Sequence, residues 1–288
     1  MRLVSALPVN GRGGAASERR YPAAVQPISE LPRDLARALR GVCFDIDDTV
    51  TTDGILDPLA LQALCDLRAS GLHLVASTGR PLGWAEIVAR TWPVDAAVGE
   101  NGAGWVGVVR GRPVRGYFDP ADLREQHQER FAALRDQVGR VLPQLCVTDD
   151  AWARRCDLAF DVGEFQAPSE EEVAALVRLI EGAGARAVVS SVHAHAAFGE
   201  ADKASGAIRA VRELLGIDLA AEAPRWLFVG DSGNDAAAFS WFPVTAGVAN
   251  VRDFLDALPD PPRYVAEGHS GRGFAEIAEV LLEARRQP

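Results

Sequence analysis

Short apolar runs alternate with helix-like segments in two separate blocks of this chain. The first block holds the strand-like runs GVCFDI, LHLVAS and DAAVG, with a helical pattern of apolar residues in each interval between them. In the second block, the run RWLFVG follows a helical pattern that begins at Lys203. Strands that alternate with helices predict a parallel sheet with helices on both faces. We therefore expect an α/β fold with a doubly wound, Rossmann-like parallel sheet as its core.

The region between the two blocks has a different pattern. Apolar residues recur at helical spacing from Leu123 to Leu142, DLAFDV then alternates like a strand, and a second helical pattern runs from Val173 to Ile180. We interpret this region as a cap domain inserted into the core. NGAGWVGVV and RPVRGYF, just before it, predict a hairpin. The expected division is an N-terminal extension at residues 1–40, the core at 41–117 and 201–288, and an α/β cap at 118–200.

The charge of the chain limits its partners. The 288 residues carry a formal net charge of −10, and so acidic a protein offers no basic field to nucleic acid or to an anionic membrane. No apolar run approaches the roughly 18 residues of a membrane span. The cysteines lack the spacing of a zinc site and suit apolar positions in a reducing cytoplasm. We expect a cytoplasmic protein whose partner is a small molecule.

Acidic residues follow the first strand, where they are costly without a partner. In FDIDDTVT, Asp45, Asp47 and Asp48 lie together at the end of a buried strand, and like charges so close repel one another. Ligands of open parallel sheets bind beyond the carboxyl ends of the strands. The residues that follow the predicted strands at this edge include Asp45, Asp47, Thr78, Gly79, Asp231, Asn234 and Asp235.

These side chains suit a metal ion and a phosphate group. Asp45 and Asp231 follow different strands, and a few carboxylates with water and phosphate oxygens are a usual shell for Mg²⁺. Such a cation would offset the repulsion between them. Thr78 and the Gly79 amide can donate to phosphate oxygens, and Lys203 adds a compact positive charge. Phosphoryl transfer requires mainly this positioning and neutralisation.

Two of the carboxylates have the positions of a nucleophile and an acid/base. A carboxylate in line with phosphorus can attack it and form an aspartyl-phosphate, and we assign this role to Asp45. Asp47 lies two residues on, where the strand enters a loop, so its carboxyl group can turn towards the leaving oxygen. There it would protonate the leaving group and later activate a water molecule.

Four motifs in order resemble those of the haloacid dehalogenase superfamily. DIDDT is similar to the DxDxT motif, STGRP to the second motif, Lys203 with Gly206 to the third, and GDSGND to the acidic fourth. The stretch ENGA and the insert between the second and third motifs resemble the Cof-type branch, subfamily IIB, which has a C2 cap. This branch includes sucrose-, trehalose- and mannosyl-3-phosphoglycerate-phosphatases as well as phosphomannomutase.

The resemblance implies a role for each matching residue. It makes Asp45 the nucleophile and Asp47 the acid/base. It implies that Mg²⁺ is bound by the side chains of Asp45 and Asp231 and by the backbone carbonyl of Asp47. Asn234 and Asp235 would support the metal shell. Thr78 and Lys203 would bind the phosphate. Asp48 departs from the pattern, because many relatives have glycine there. We expect its side chain to face a turn or a helix end.

The cap contributes further candidates. In SSVHAHAAFG, Ser191, His193 and His195 share one face of a predicted strand. Either this face looks into the crevice, where His193 contacts the non-phosphate part of the substrate, or it is the solvated face of a cap sheet. Asn101, within ENGA, is a further candidate for contact with the substrate, as is His195.

These features favour a Mg²⁺-dependent phosphatase that acts on a small phosphate monoester. The choice of a sugar or polyol phosphate rests on the resemblance. A phosphomutase would use the same catalytic residues and would differ in its product. A sugar-phosphate binding or regulatory protein is a third interpretation, but such a protein has no need of both a nucleophile and an acid/base.

Overall fold

The structure is a computed structural model that describes residues 25–190 and 192–286. Its strands are β1 (Gln26–Pro27), β2 (Gly41–Asp45), β3 (Thr51–Thr52), β4 (Ile55–Leu56), β5 (His73–Ser77), β6 (Ala96–Gly99), β7 (Gly104–Val109), β8 (Arg112–Tyr117), β9 (Leu158–Asp161), β10 (Arg186–Val189), β11 (His193–Ala197), β12 (Trp226–Gly230), β13 (Val244–Gly247) and β14 (Tyr264–Val265). Its α-helices are α1 (Arg33–Ala38), α2 (Pro58–Ala69), α3 (Leu82–Thr91), α4 (Ala121–Val141), α5 (Glu170–Gly182), α6 (Lys203–Leu215), α7 (Ala236–Trp241) and α8 (Ser270–Arg286). No helix within the described ranges is long and apolar enough to cross a membrane.

A nine-stranded sheet has the order β1-β14-β13-β12-β2-β5-β6-β7-β8. All neighbours from β1 to β6 are parallel, and β7 and β8 add an antiparallel hairpin at one edge, where the sequence predicts one. The chain runs outwards from β2 through β5 to β6 on one side, and from β12 through β13 to β14 on the other. The direction of winding therefore changes between β2 and β12, and a crevice forms beyond the carboxyl ends of these two strands.

Helices cover both faces of the sheet. The helices α1, α2, α3 and α8 pack with Val42 and Phe44 on one face, while α6 and α7 pack with Cys43 on the other. Every residue of β2 and β12 is buried. Strands that are buried on both faces are apolar throughout, which explains why these two runs do not alternate. The α/β class with a doubly wound core and an added subdomain is confirmed.

Residues 25–40 contribute to the core, although the sequence analysis assigns them to an extension. The strand β1 pairs in parallel with β14 at the edge of the sheet, and Ile28, which follows it, is buried. The guanidinium of Arg37 in α1 donates to the carbonyl oxygen of Ala284 in α8 at 3.2 Å. Residues 1–24 lie outside the described residues. The described part of the predicted extension thus adds a strand at one edge of the sheet.

The cap contains a three-stranded antiparallel sheet in the order β10-β11-β9. Side chains of α4 and α5 form an apolar cluster with Ala194 and Ala196 of β11 on one face of this sheet. Because side chains alternate along a strand, His193 and His195 emerge on the opposite face. The cap therefore has a core of its own and presents a polar face on its other side.

Two glycines allow α6 to approach the turn that follows β6. A Cβ atom at Gly206 would lie 2.4 Å from the Cα atom of Gly102, and one at Gly102 would lie 1.9 Å from the carbonyl oxygen of Asp202. Gly102 also has a φ of 102°, a conformation in which a side chain is strained. This contact sets the first turn of α6, and Lys203 with it, against the central strands.

Gly206→Ala should destabilise the protein, because its methyl group would overlap the backbone of Gly102. Overpacking costs about 1–3 kcal/mol, against a gain in helix propensity of about 1 kcal/mol. The matched control is Gly139→Ala in α4, where a Cβ atom would meet nothing within 4 Å, and it should stabilise by up to about 1 kcal/mol. Urea unfolding measures both free energies of unfolding. An equal gain in the two variants would contradict the close contact.

Candidate active site

Three buried carboxylates meet at the point where the winding of the sheet changes. Asp45 ends β2, Asp231 follows β12, and Asp235 lies in the short turn after it. One oxygen from each of these carboxylates lies within 4.8 Å of the other two. The parallel pairing of β2 with β12 explains this convergence, because it places the two carboxyl ends side by side.

Lys203 supplies a positive charge to this cluster. Its Nζ donates to Oδ1 of Asp45 at 2.6 Å and to Oδ1 of Asp235 at 2.7 Å, and the side chain is fully buried. Lys203 is the first residue of α6, and a reciprocal capping box between Asp202 and Ser205 fixes the start of this helix. The ammonium group thus reaches the cluster from a well-defined helix end.

Negative charge exceeds positive charge in the cluster. Burial, followed by the charges of Asp235 and Asp47, raises the pKa of Asp45 to about 7, although Lys203 acts in the opposite direction. Burial and the charge of Asp45 likewise raise the pKa of Asp231 well above its ordinary value. For Lys203, burial lowers the pKa, but Asp235 and Asp45 outweigh it and raise that pKa above its usual range. A bound cation would relieve this excess of negative charge.

Asp235 stabilises the turn GDSGND through hydrogen bonds with its backbone. Its Oδ2 accepts hydrogen bonds from the backbone N–H groups of Asp231 at 2.9 Å and Ser232 at 3.2 Å, while its Oδ1 accepts from Lys203. Both oxygens of Asp235 therefore have protein partners. Asn234 accepts from the Ser232 hydroxyl at 3.1 Å and lines a cavity beside the cluster.

The carboxylate of Asp47 points to a different partner, the end of β5. Its Oδ2 accepts from Oγ1 of Thr78 at 3.2 Å and its Oδ1 accepts from Nε of Arg80 at 3.0 Å. Thr78 is fully buried, and its Oγ1 also accepts from the backbone N–H of Arg80 at 2.9 Å. The side chain of Asp47 is thus held apart from the three clustered carboxylates, and it lines the same cavity as Asp45.

Arg80 is a site residue to which the sequence analysis assigns no role. Its guanidinium donates to Asp47 and also to both oxygens of Glu164 in the cap, at 3.0 Å each. The ring of Trp84 lies 5.1 Å from its central carbon. The signal available in the sequence is its place in the motif STGRP. For Glu164, the sequence shows no comparable signal.

The two histidines of β11 face the cavity, and both are buried rather than solvated. His193 Nε2 lies 2.7 Å from Oε2 of Glu164, and His195 Nδ1 lies 2.8 Å from Oδ2 of Asp157. Burial is the main cause that lowers the pKa of each histidine. Burial thus favours the neutral form of each ring, against the effect of the adjacent carboxylate. The polar face of this strand therefore lies against the cavity and is not a solvated face, while contact of His193 with a substrate stays a prediction.

Asp157, which is itself bound by Arg154, orients the imidazole of His195. Arg154 donates to both oxygens of Asp157, at 2.9 and 3.1 Å, and to the carbonyl oxygen of Gly79 at 3.0 Å. Burial raises the pKa of Asp157, but Arg154 and His195 together outweigh it and lower that pKa to about 2. This ionised carboxylate holds the imidazole in one orientation, with Nε2 directed away from Asp157.

Gly79 lies where the cap meets the core. A Cβ atom there would lie 3.1 Å from Nε2 of His195 and 3.2 Å from Oδ1 of Asn101. Asn101 is buried at a φ of 51°, and neither polar atom of its side chain has a hydrogen-bond partner among the described residues. Glycine therefore allows the imidazole and the amide to approach the loop that follows β5.

Glu100 joins the core to the cap. Its buried carboxylate accepts a hydrogen bond from the backbone N–H of Leu82 in the core at 2.9 Å. It also accepts from the consecutive backbone N–H groups of Arg155, Cys156 and Asp157 in the cap. Glu100 therefore holds the cap segment that carries Asp157. Glu100 lies in the stretch ENGA, but the sequence shows no signal for this role.

Asp48 has a φ of 55°, in the left-handed region that favours glycine. Aspartate tolerates this conformation better than most residues, which explains how it can occupy a position where glycine is common. Its backbone N–H donates to Oγ1 of Thr51 at 3.1 Å. The charge of Asp48 adds, after burial and the nearer carboxylates, to the rise in the pKa of Asp231.

The cavity between core and cap is small, with a volume of about 20 Å³. Asp45, Asp47 and Arg80 line it from the core, while Ser190, Val192 and the two histidines line it from the cap. This volume holds about one water molecule. The cap is therefore closed over the carboxylates, and it must move to admit a larger molecule.

No protein-family model and no curated protein matches the sequence. Solved structures match the fold. Protein 0175 of Thermoplasma acidophilum has a TM-score of 0.67 at 17% identity, over 85% of this chain and 99% of its own. The sucrose-phosphatase from Synechocystis, solved with sucrose and phosphate, has a TM-score of 0.60 at 18% identity, over 84% and 98%.

A third similar structure is a sugar phosphatase of subclass IIB of the haloacid dehalogenase superfamily. It has a TM-score of 0.54 at 16% identity, over 83% of this chain and 98% of its own. Likeness at such identities bears on the fold, and the fold agrees with the family that the four motifs indicate. The chain folds as the subclass IIB phosphatases of the haloacid dehalogenase superfamily do, with a Rossmann-like core and an inserted cap.

Proposed function

We propose that this protein is a Mg²⁺-dependent phosphatase that hydrolyses a small phosphate monoester through an aspartyl-phosphate on Asp45. The observation that carries the proposal is the convergence of Asp45, Asp231, Asp235 and Lys203 beside a cavity that Asp47 also lines. A sugar or polyol phosphate is the proposed substrate class. It is supported by the similar structures, which include a sucrose-phosphatase with sucrose and phosphate and a subclass IIB sugar phosphatase.

The carboxylate cluster fits a magnesium ion. Its donors are hard oxygen atoms, and three buried carboxylates share the single ammonium group of Lys203. Asp45, Asp231 and the backbone carbonyl of Asp47 would bind the ion. Asp235 would support them, since both of its oxygens already accept hydrogen bonds, and Asn234 would assist it. Bound there, Mg²⁺ would neutralise charge on the phosphoryl group.

In the first step, a carboxylate oxygen of Asp45 attacks phosphorus, and the bond between phosphorus and the leaving oxygen breaks. The carboxyl group of Asp47 gives its proton to that oxygen, so the leaving group departs as a neutral alcohol. Lys203 and the Gly79 amide hold the phosphoryl oxygens, and the Thr78 hydroxyl joins them by turning its single proton from Asp47 to the phosphate. Lys203 can do this while it remains paired with Asp45, because an ammonium group has three donors.

In the second step, the carboxylate of Asp47 takes a proton from a water molecule, whose oxygen attacks the phosphorus of the aspartyl-phosphate. Inorganic phosphate leaves, and the carboxylate of Asp45 is restored. The closed cap excludes other water during the first step and must admit one molecule for the second. His193, His195 and Asn101, which lie near or line the cavity, would contact the alcohol part of the substrate.

Asp45→Asn should abolish phosphate release, because an amide cannot serve as the nucleophile. We expect kcat to fall about 10⁴-fold or more, as for other losses of a covalent nucleophile. The assay is release of inorganic phosphate from a panel of sugar, polyol and nucleotide monophosphates with Mg²⁺. Asp136→Asn, at an exposed position of α4, is the matched control. An active Asp45→Asn variant would refute the mechanism, and an isomerised sugar phosphate as the product would indicate a mutase.

Mg²⁺ should raise the melting temperature, because it binds the folded carboxylate cluster. At 100 times its Kd a ligand stabilises by about 2.7 kcal/mol. Asp231→Asn removes one of three crowded carboxylates, so we expect a higher melting temperature without Mg²⁺ and a much smaller rise when Mg²⁺ is added. Thermal unfolding with and without EDTA measures both effects. A variant that retains the full Mg²⁺-dependent rise would show that the ion binds elsewhere.

A further inference from the structure

A single guanidinium connects the proposed acid/base of the core to a carboxylate of the cap. Arg80 Nε donates to Oδ1 of Asp47 at 3.0 Å, and its Nη1 and Nη2 donate to the two oxygens of Glu164 at 3.0 Å each. The group is planar, so the direction of Nε–H follows from the position of the other two nitrogens. The carboxylate of Glu164 thus determines the direction from which Arg80 approaches Asp47.

Glu164 is itself held in place by the cap. It lies in the turn after β9, where the carboxylate of Asp161 accepts from the backbone N–H groups of Gly163, Glu164 and Phe165 at 2.9–3.1 Å. His193 Nε2, from β11, lies 2.7 Å from Oε2 of Glu164. Nη1 and Nη2 of Arg80 are therefore both bound to one side chain, that of Glu164, whose position is fixed relative to the rest of the cap.

Arg80 has no other partner in the described chain as well placed as Glu164. Asp150 of the cap lies 3.7 Å from its Nη1 and already accepts hydrogen bonds from Arg154 and Thr148. Asp47 is held by one further side chain, Thr78, at 3.2 Å. When the cap lifts, Arg80 loses its hydrogen bonds to Glu164 and keeps the ring of Trp84 beside it. Asp47 then keeps Thr78 and a guanidinium whose two outer nitrogens are no longer held.

We propose that Glu164 is a positioning residue that acts through Arg80, so that Asp47 is aligned for proton transfer to the leaving oxygen only when the cap is closed. This inference rests on the proposed function, because it requires Asp47 to be the acid of a phosphatase. Glu164 itself exchanges no proton with the substrate. Because of Glu164, acid catalysis by Asp47 requires a closed cap. Cleavage of the ester is therefore slow while the cap is open and bulk water reaches the site.

The test compares leaving groups that differ in their need for a proton. p-Nitrophenolate leaves without protonation because it is a weak base, whereas phenoxide and the alkoxide of β-glycerol phosphate require an acid. The measured quantity is kcat/KM, which covers the steps up to cleavage of the ester. We expect Glu164→Gln to lower kcat/KM about 10- to 100-fold for phenyl phosphate and β-glycerol phosphate and less than about 3-fold for p-nitrophenyl phosphate.

Two further variants make the result specific. Arg80→Lys replaces the fork by one ammonium group, which cannot hold both carboxylates, and it should show the same dependence on the leaving group. The double variant should be no worse than the poorer single variant, because both changes break one relay. Glu171→Gln, exposed on α5 of the cap, is the matched control and should keep the wild-type kcat/KM on all three esters.

Three outcomes would overturn the inference. An equal loss on all three esters in Glu164→Gln would indicate a role in binding or folding instead. A gain on all three would show that the contact is a resting latch that opposes opening of the cap. If the wild-type protein releases no more phosphate than Asp45→Asn does from any of the three esters or from the panel of monophosphates, the proposed function fails, and this inference fails with it.

Discussion

The ammonium group of Lys203 makes the carboxylate cluster tolerable in a buried site. Isolated buried charges cost several kcal/mol each, and here three carboxylates lie at the ends of two central strands. Lys203 bonds two of them directly. Its own position depends on the start of α6, which the capping box and the contact between Gly206 and Gly102 determine. The close packing of Gly206 against Gly102 therefore helps to determine where the positive charge of the site lies.

The contacts between core and cap described here are strongly polar. Glu100 binds three consecutive backbone N–H groups of the cap, Arg154 reaches the carbonyl of Gly79, and Arg80 meets Glu164. Hydrogen bonds are directional, so they define one closed arrangement. Water can replace each of them when the domains separate, whereas an apolar contact of the same extent would lose its stabilisation on exposure to water. A polar interface therefore suits the opening and closing of the cap that the proposed function requires.

The sequence predicts the core part of the site because strand ends obey a simple rule. Asp45, Asp231 and Lys203 lie in runs whose pattern identifies the strands and the helix, and parallel pairing then brings them together. Glu164 escapes prediction because it lies in a cap turn, and no periodicity fixes how that turn meets the core. Alternation along β11 identifies the face shared by His193 and His195, but it does not tell a crevice from solvent. That choice depends on how the two domains pack.

A substitution on β11 has a different consequence on each of the two faces of the strand. Ala194 and Ala196 belong to the apolar cluster of the cap, while His193 and His195, one residue away in each case, face the cavity. A substitution on the histidine face would change the lining of the cavity and leave the apolar cluster intact, but it would also remove the partner of Glu164 or Asp157. A lineage that replaces one of these histidines must therefore also change its acidic partner, so the lining of this cavity is expected to evolve by paired substitutions.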